Sequence, residues 1–438
     1  MTPTTMQRNA RSRLPAAALL IPLCLVACTR QLMPTPTVHA VAADDPFSDV
    51  PPPHRTGTVD LVYITDRAPV ARDGRLAYGW KRSPSVSFGS CVVALGQQVS
   101  WDDLVRNSRS SVRDMPFPLG VESITELGSF PPTPHIRPED PLEQDVAAAA
   151  LRAEIDRRLA QVPRKEVFLF VHGFHNSFDI ASYIAAEIWH FLPREGVPIL
   201  YSWPAGHGGL LQGYEYDRES GLYTVGHLQM VLELLASWPE IEGINIVAHS
   251  RGTAVVVDAL GALVAAVRAS GRDPRIALRI NELVLAAADI DVEVAAQRIF
   301  GEGIDRAVGR TTAYVSQHDD ALSLSSWLFA DRRLGRLSYS DLTDHERAVL
   351  AAAQRFSVVD VRAHTSGLGH DYFHSAPAAS SDLILVLRDG LDPGTPRDTR
   401  PGGNPGRPLV PVGPNYWELD DDYEAATTQS QAGHGSSQ

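Results

Sequence analysis

Cysteine is scarce in this chain: Cys24, Cys28 and Cys91 are the only three among 438 residues. Two fall within the first 28 positions, which leaves Cys91 alone in the remainder and excludes a disulfide-stapled fold. Metal-binding signatures are also missing. There is no H-E-x-x-H and no paired Cys/His spacing, so neither a metal ion nor any other cofactor is expected. Positive charge is in deficit, with 39 Lys+Arg against 52 Asp+Glu and a net charge of −13. Neutralising phosphates requires a basic face, so nucleic acid is excluded as the principal partner. The sequence contains no internal repeat. Its N-terminal apolar run, Leu14 to Ala27, covers 14 residues and is broken by Pro22. That is short of the ~20 residues needed to span a bilayer.

Arg8, Arg11 and Arg13 precede this run with no acidic residue among them, the charge pattern of a secretory signal. The run ends in Leu25-Val26-Ala27-Cys28, which resembles the lipobox of bacterial lipoprotein signals. The resemblance implies removal of residues 1–27, a lipid on the Cys28 sulfur and attachment to a membrane of the cell envelope. Thr29, where an aspartate would favour retention in the inner membrane, points to the outer membrane and a periplasmic location.

Residues 28–56, with "PTPT" and "PPP", read as an extended tether. Residues 392–438, with "DPGTPRDTRPGGNPGRP" and a polar finish, read as a disordered tail. The folded domain is therefore expected over 57–391, as an N-terminal extension (57–140) and a core (141–391). Short apolar runs alternate with helical periodicity: "VDLVYIT", "SCVVALG", "EVFLFVHG", "VPILYSW", "INIVAHS", "INELVLAAAD", "RTTAYVSQHD" and "FSVVDVR", with helices over 142–160, 177–192, about 220–237 and 251–268, and a last one in "SSDLILVLRDG". Strand runs apolar on both faces predict an α/β fold: a mostly parallel sheet covered on both sides, with ligands bound at the carboxyl ends of the strands.

Ala248-His249-Ser250-Arg251-Gly252 joins one such strand to a helix. Small residues flanking a serine at this junction fit a nucleophile elbow, with Ala248 replacing the usual first glycine. A bare serine N-cap would look similar. A serine nucleophile also needs a base and an orienting carboxylate, and in this architecture the chain order is serine, acid, histidine. Asp319 ends a later strand and His370 lies in a loop beyond the next. Asp320, Asp289 and Asp291 are rival acids, and His374 and His364 rival bases. In "FVHGF", Gly173 would let the Phe174 amide face a reacting oxygen, and the Arg251 amide would be the second donor. His172, His175 and His249 also suggest a metal, but His172 and His249 flank separate turns. The stretches 202–220 and 323–347 are candidate loops over the site.

"VFLFVHGFHNSF", "LYSWPAG", "NIVAHSRG", "LVLAAADID", "YVSQHDDALSLS" and "GHDYF" resemble, in order and spacing, a bacterial α/β-hydrolase family known as domain of unknown function 900. The early "VDLVYITDRAP" and "FGSCVVALG" resemble its N-terminal strands. The resemblance spans about residues 57–390. It implies the α/β-hydrolase fold, a Ser250–His370–Asp319 triad and, by analogy, a small ester or other acyl substrate. The competing classes are a peptidase and a non-catalytic envelope lipoprotein that uses the scaffold for binding.

Overall fold

The computed structural model describes residues 30–42, 44–132, 141–329, 331–362, 368–393 and 409–419. The predicted signal and Cys28 lie outside these residues.

An 11-stranded sheet runs through the molecule in the order β10-β11-β9-β8-β7-β6-β4-β5-β1-β2-β3. The strands are β1 (Thr58–Arg72), β2 (Arg75–Leu95), β3 (Leu119–Phe130), β4 (Glu166–Val171), β5 (Val197–Ser202), β6 (Gly243–His249), β7 (Ile280–Ala286), β8 (Arg310–Val315), β9 (Phe356–Val361), β10 (Val410–Gly413) and β11 (Tyr416–Leu419). Neighbours from β11 to β1 pair in parallel, while β2, β3 and β10 are added antiparallel. All residues of β5, β6 and β9 are buried, as strands covered on both faces must be.

Strand alternation divides the core between the two faces. Leu169 and Ile246 point to one side, against the helices Pro141–Leu159, Leu210–Ser237 and Gly252–Ala269. Phe168, Phe170 and Val247 point to the other, against Phe178–Phe191 and Pro377–Asp389. Burying both layers gives the elbow a rigid floor.

Three expectations need correction. The residues from Arg30 onward do not form a free tether but a strap laid on the domain, with Leu32, Met33, Phe47 and Val50 buried. These apolar residues are spaced among prolines, so average composition concealed them. The C-terminal segment is not wholly a loose tail. β11 pairs in parallel with β9, and Tyr416 and Leu419 are buried. The alternating "NYWEL" supplies a strand that the surrounding Gly and Pro obscured. The segment 202–220 is not mainly a loop over the site, because the helix expected from about 220 begins at Leu210.

Candidate active site

β6 ends at His249, and the helix Gly252–Ala269 begins three residues later. Between them Ser250 adopts φ 52°, a left-handed conformation that costs a non-glycine residue on the order of 1 kcal/mol or more. The surroundings hold it there. The Ser250 amide donates to Ala286 O (2.9 Å), and its carbonyl accepts from the Thr253 hydroxyl (2.6 Å), the Thr253 amide (3.1 Å) and the Asp289 amide (3.1 Å).

The requirement for small neighbours is visible in the packing. A Cβ on Gly252 would lie 2.4 Å from His172 O. A Cβ on Gly173 would lie 2.6 Å from the Ser250 Cβ. The His172–Phe174 turn therefore stands directly against the elbow.

His370 and Asp319 come together: Nδ1 donates to Asp319 Oδ2 at 2.7 Å. Asp319 is fully buried, and its other oxygen accepts from the Leu322 amide at 2.9 Å. With Nδ1 committed as a donor, the neutral imidazole keeps Nε2 as its acceptor. The His370 ring lies 4.8 Å from that of His249, the residue before the serine. His249 Nε2 donates to the His370 carbonyl at 3.2 Å, which ties the loop of His370 to the elbow. Burial holds the His249 ring neutral, its pKa well below 6.5, and the neighbouring His370 adds to this.

The rivals are engaged elsewhere. Asp320 is exposed at a helix start. Asp291 caps the helix Val292–Ala296 by accepting from the amides of Glu293 and Val294. Asp289 accepts from the Tyr214 hydroxyl (3.0 Å) and the Ser325 hydroxyl (3.0 Å) and lies 3.3 Å from Arg333 Nε. His374 Nδ1 lies 3.1 Å from the buried Glu187. His364 falls outside the described residues, and His175 is exposed.

His172, read as a turn residue, belongs to a network that sequence analysis did not foresee. Arg67, within β1 where its pairing with β2 shifts register, is buried, and its guanidinium donates to the carbonyls of Gly79 (3.0 Å), Ala205 (2.7 Å) and Asn176 (2.7 Å) and to the Ser202 hydroxyl (2.8 Å). Its Nη2 also lies 3.1 Å from His172 Nε2, and the His172 ring stacks on Trp203. Burial, with the nearby Arg67, keeps His172 neutral, and burial lowers Arg67 to about 10. Arg67 thereby braces the turn that carries Phe174. Its only signal was a charge at the end of the apolar run "VDLVYIT".

Beside the elbow a cleft of about 300 Å³ is lined by the charged side chains of Arg218, Arg251, Arg333, Asp258, Asp291 and Asp331 together with Tyr214, Leu222, Ala254, Ile290 and Val294. The Phe174 ring lies 5.4 Å from that of Tyr214.

A strained serine between a parallel strand and its following helix, at the carboxyl edge of a sheet covered on both faces, defines an α/β hydrolase. The family of alpha/beta hydrolases of unknown function called DUF900 matches residues 147–387, more than half of the chain, and the chain belongs to it. Among solved structures it is similar to a promiscuous CE15 esterase from a marine bacterial metagenome. The identity is 13%, the match covers 85% of this chain and 84% of that one, and the TM-score is 0.26. No curated protein matches the chain.

Proposed function

We propose that the chain is a serine hydrolase of ester bonds, similar to a carboxylesterase, with Ser250 as nucleophile, His370 as base and Asp319 as the orienting carboxylate. The observation that carries this reading is the 2.7 Å bond from His370 Nδ1 to buried Asp319, beside a serine held at φ 52°. His370 Nε2 takes the Ser250 proton as Oγ attacks the carbonyl carbon. The amides of Phe174 and Arg251 hold the developing oxyanion. His370 then returns the proton to the departing alcohol, and water, activated in the same way, releases the acid. The cleft beside Arg251 is where a small acyl or alcohol portion lies. The lipobox-like end of the N-terminal run supports a lipid anchor on Cys28 and an outer-membrane position facing the periplasm.

A fluorophosphonate probe tests the chemistry. Wild type is labelled and Ser250→Ala is not; an unlabelled wild type would favour a binding scaffold. Hydrolysis of p-nitrophenyl esters of increasing chain length, with the same control, reports the acyl preference. Incorporation of labelled palmitate that disappears in Cys28→Ser tests the anchor.

A further inference from the structure

The loop that carries His370 is held from two sides. His249 grips the His370 carbonyl, and its ring packs 4.7 Å from that of Phe373. On the other side, a helical turn beyond His370, His374 is only 2% exposed and belongs to a buried charged group. Its Nδ1 lies 3.1 Å from Glu187 Oε1. Arg30 Nη2 donates to the same Glu187 oxygen at 3.3 Å and lies 3.2 Å from His374 Nε2. The second Glu187 oxygen accepts from the Met33 amide at 2.9 Å.

Glu187 is fully buried, and a buried carboxylate deprived of its cation is costly. Arg30 forms an ion pair with it at 3.3 Å, while the more distant Arg113, bound to the Met33 carbonyl, also interacts electrostatically with it. The Arg30 backbone is itself fixed, since its carbonyl accepts from Leu119 N at 2.7 Å and the Leu32 amide donates to Phe117 O at 2.9 Å. A firmly seated guanidinium thus reaches through one carboxylate to the same short helical turn that follows the base.

We propose that Arg30 is a positioning residue for the base, holding through Glu187 and His374 the turn that presents His370 to Asp319 and Ser250. This rests on the serine-hydrolase reading above. The Arg30 side chain is 29% exposed, and Leu32, Met33, Phe47 and Val50 seat the strap independently of it, so Arg30→Gln leaves the packing in place.

The test uses the full chain. Arg30→Gln is expected to lower kcat on p-nitrophenyl butyrate by roughly 10- to 100-fold with KM unchanged, the scale of a displacement near 1 Å at the reacting groups. Arg30→Lys, which restores a cation beside Glu187, should recover most of it. Glu187→Gln, which removes the buried charge at nearly equal volume, should reproduce the loss. The downfield proton resonance of His370 Nδ1–H, identified by its disappearance in Asp319→Asn, should shift or broaden in Arg30→Gln. A wild-type kcat with an unmoved resonance overturns the proposal, as does a loss of activity that only tracks a loss of folded protein. A resonance that moves in a chain with no hydrolase activity would support the positioning while removing the catalytic reading.

Discussion

Gly173→Ala is the most direct probe of the site, because its effect is steric and confined to two turns. Gly173 does not have a positive φ, so alanine meets no backbone penalty there. The added methyl would instead sit 2.6 Å from the Ser250 Cβ, 3.0 Å from His249 Nδ1 and 3.2 Å from His249 O. Reaching ordinary contact with the serine requires the turn and the elbow to separate by about 0.8 Å. Neither has slack. The elbow is held by four backbone and hydroxyl bonds, and the turn rests on the Arg67 network. Overpacking of this kind costs about 1–3 kcal/mol of stability. The displacement falls on Ser250, the proposed nucleophile, and on the Phe174 amide together, and a misplacement near 1 Å costs about 10²-fold in rate. Ester hydrolysis and fluorophosphonate labelling, measured beside a thermal melt, separate the two effects. A folded Gly173→Ala protein with wild-type kcat would refute the idea that this turn and Ser250 form one catalytic unit.

Other substitutions test further parts. Asp319→Asn should keep the fold and lower kcat by about 10⁴, the consequence of losing the correct tautomer. Asp289→Asn should instead lower stability, by about 3–5 kcal/mol, because it strips a buried partner from Arg333; a kcat loss of Asp319 size with an unchanged melt would reassign the acid. Burial lowers the pKa values of His172, His190 and His249 well below 6.5, with Arg67, Arg194 and His370 respectively adding to it. The unfolded chain takes up these protons first, so stability is whole above pH 6.5 and is lost as pH falls towards the folded values. The loss approaches about 1.4 kcal/mol per pH unit for each ring. Glu282, raised by burial to about 7, takes its proton first in the folded state and opposes part of this fall. Urea midpoints should fall from about pH 7 to about pH 5, and less steeply in His190→Gln; a slope that this substitution leaves unchanged would contradict the burial assignment. Tyr416→Ala removes a fully buried ring whose hydroxyl donates to Leu337 O at 2.8 Å, and should cost about 3–5 kcal/mol in denaturant titration.

The central strands and the Ser250 turn were legible because they depend on local patterns. Runs such as "INIVAHS" are apolar on both faces, and the small residues at 248 and 252 leave room for a sharp turn. Asp319 and His370 were legible by chain order and by family resemblance, not by spacing, since 51 residues separate them. The resemblance also favoured Asp319 over Asp289; that Asp289 is engaged by Tyr214, Ser325 and Arg333 is something no local pattern encodes. Arg67 and Glu187 were missed for the same reason. A buried charge is recognisable only once its partners, here drawn from distant strands and from the strap, are known. β3, with only its two ends buried, lacks the apolar run that marks the inner strands.

The C-terminal hairpin has a practical consequence for handling this protein. Its turn and β11 cap β9: the Val358 amide donates to Asn415 O and the Arg362 amide to Leu419 O, each at 2.8 Å. A chain shortened at residue 392, where proline and glycine begin to accumulate, would bare that row of amides and carbonyls along β9. Bare edges recruit strands from other molecules. Such a preparation would precipitate and pass for an intrinsically unstable enzyme, whereas a stop just past Leu419 keeps the flank sealed.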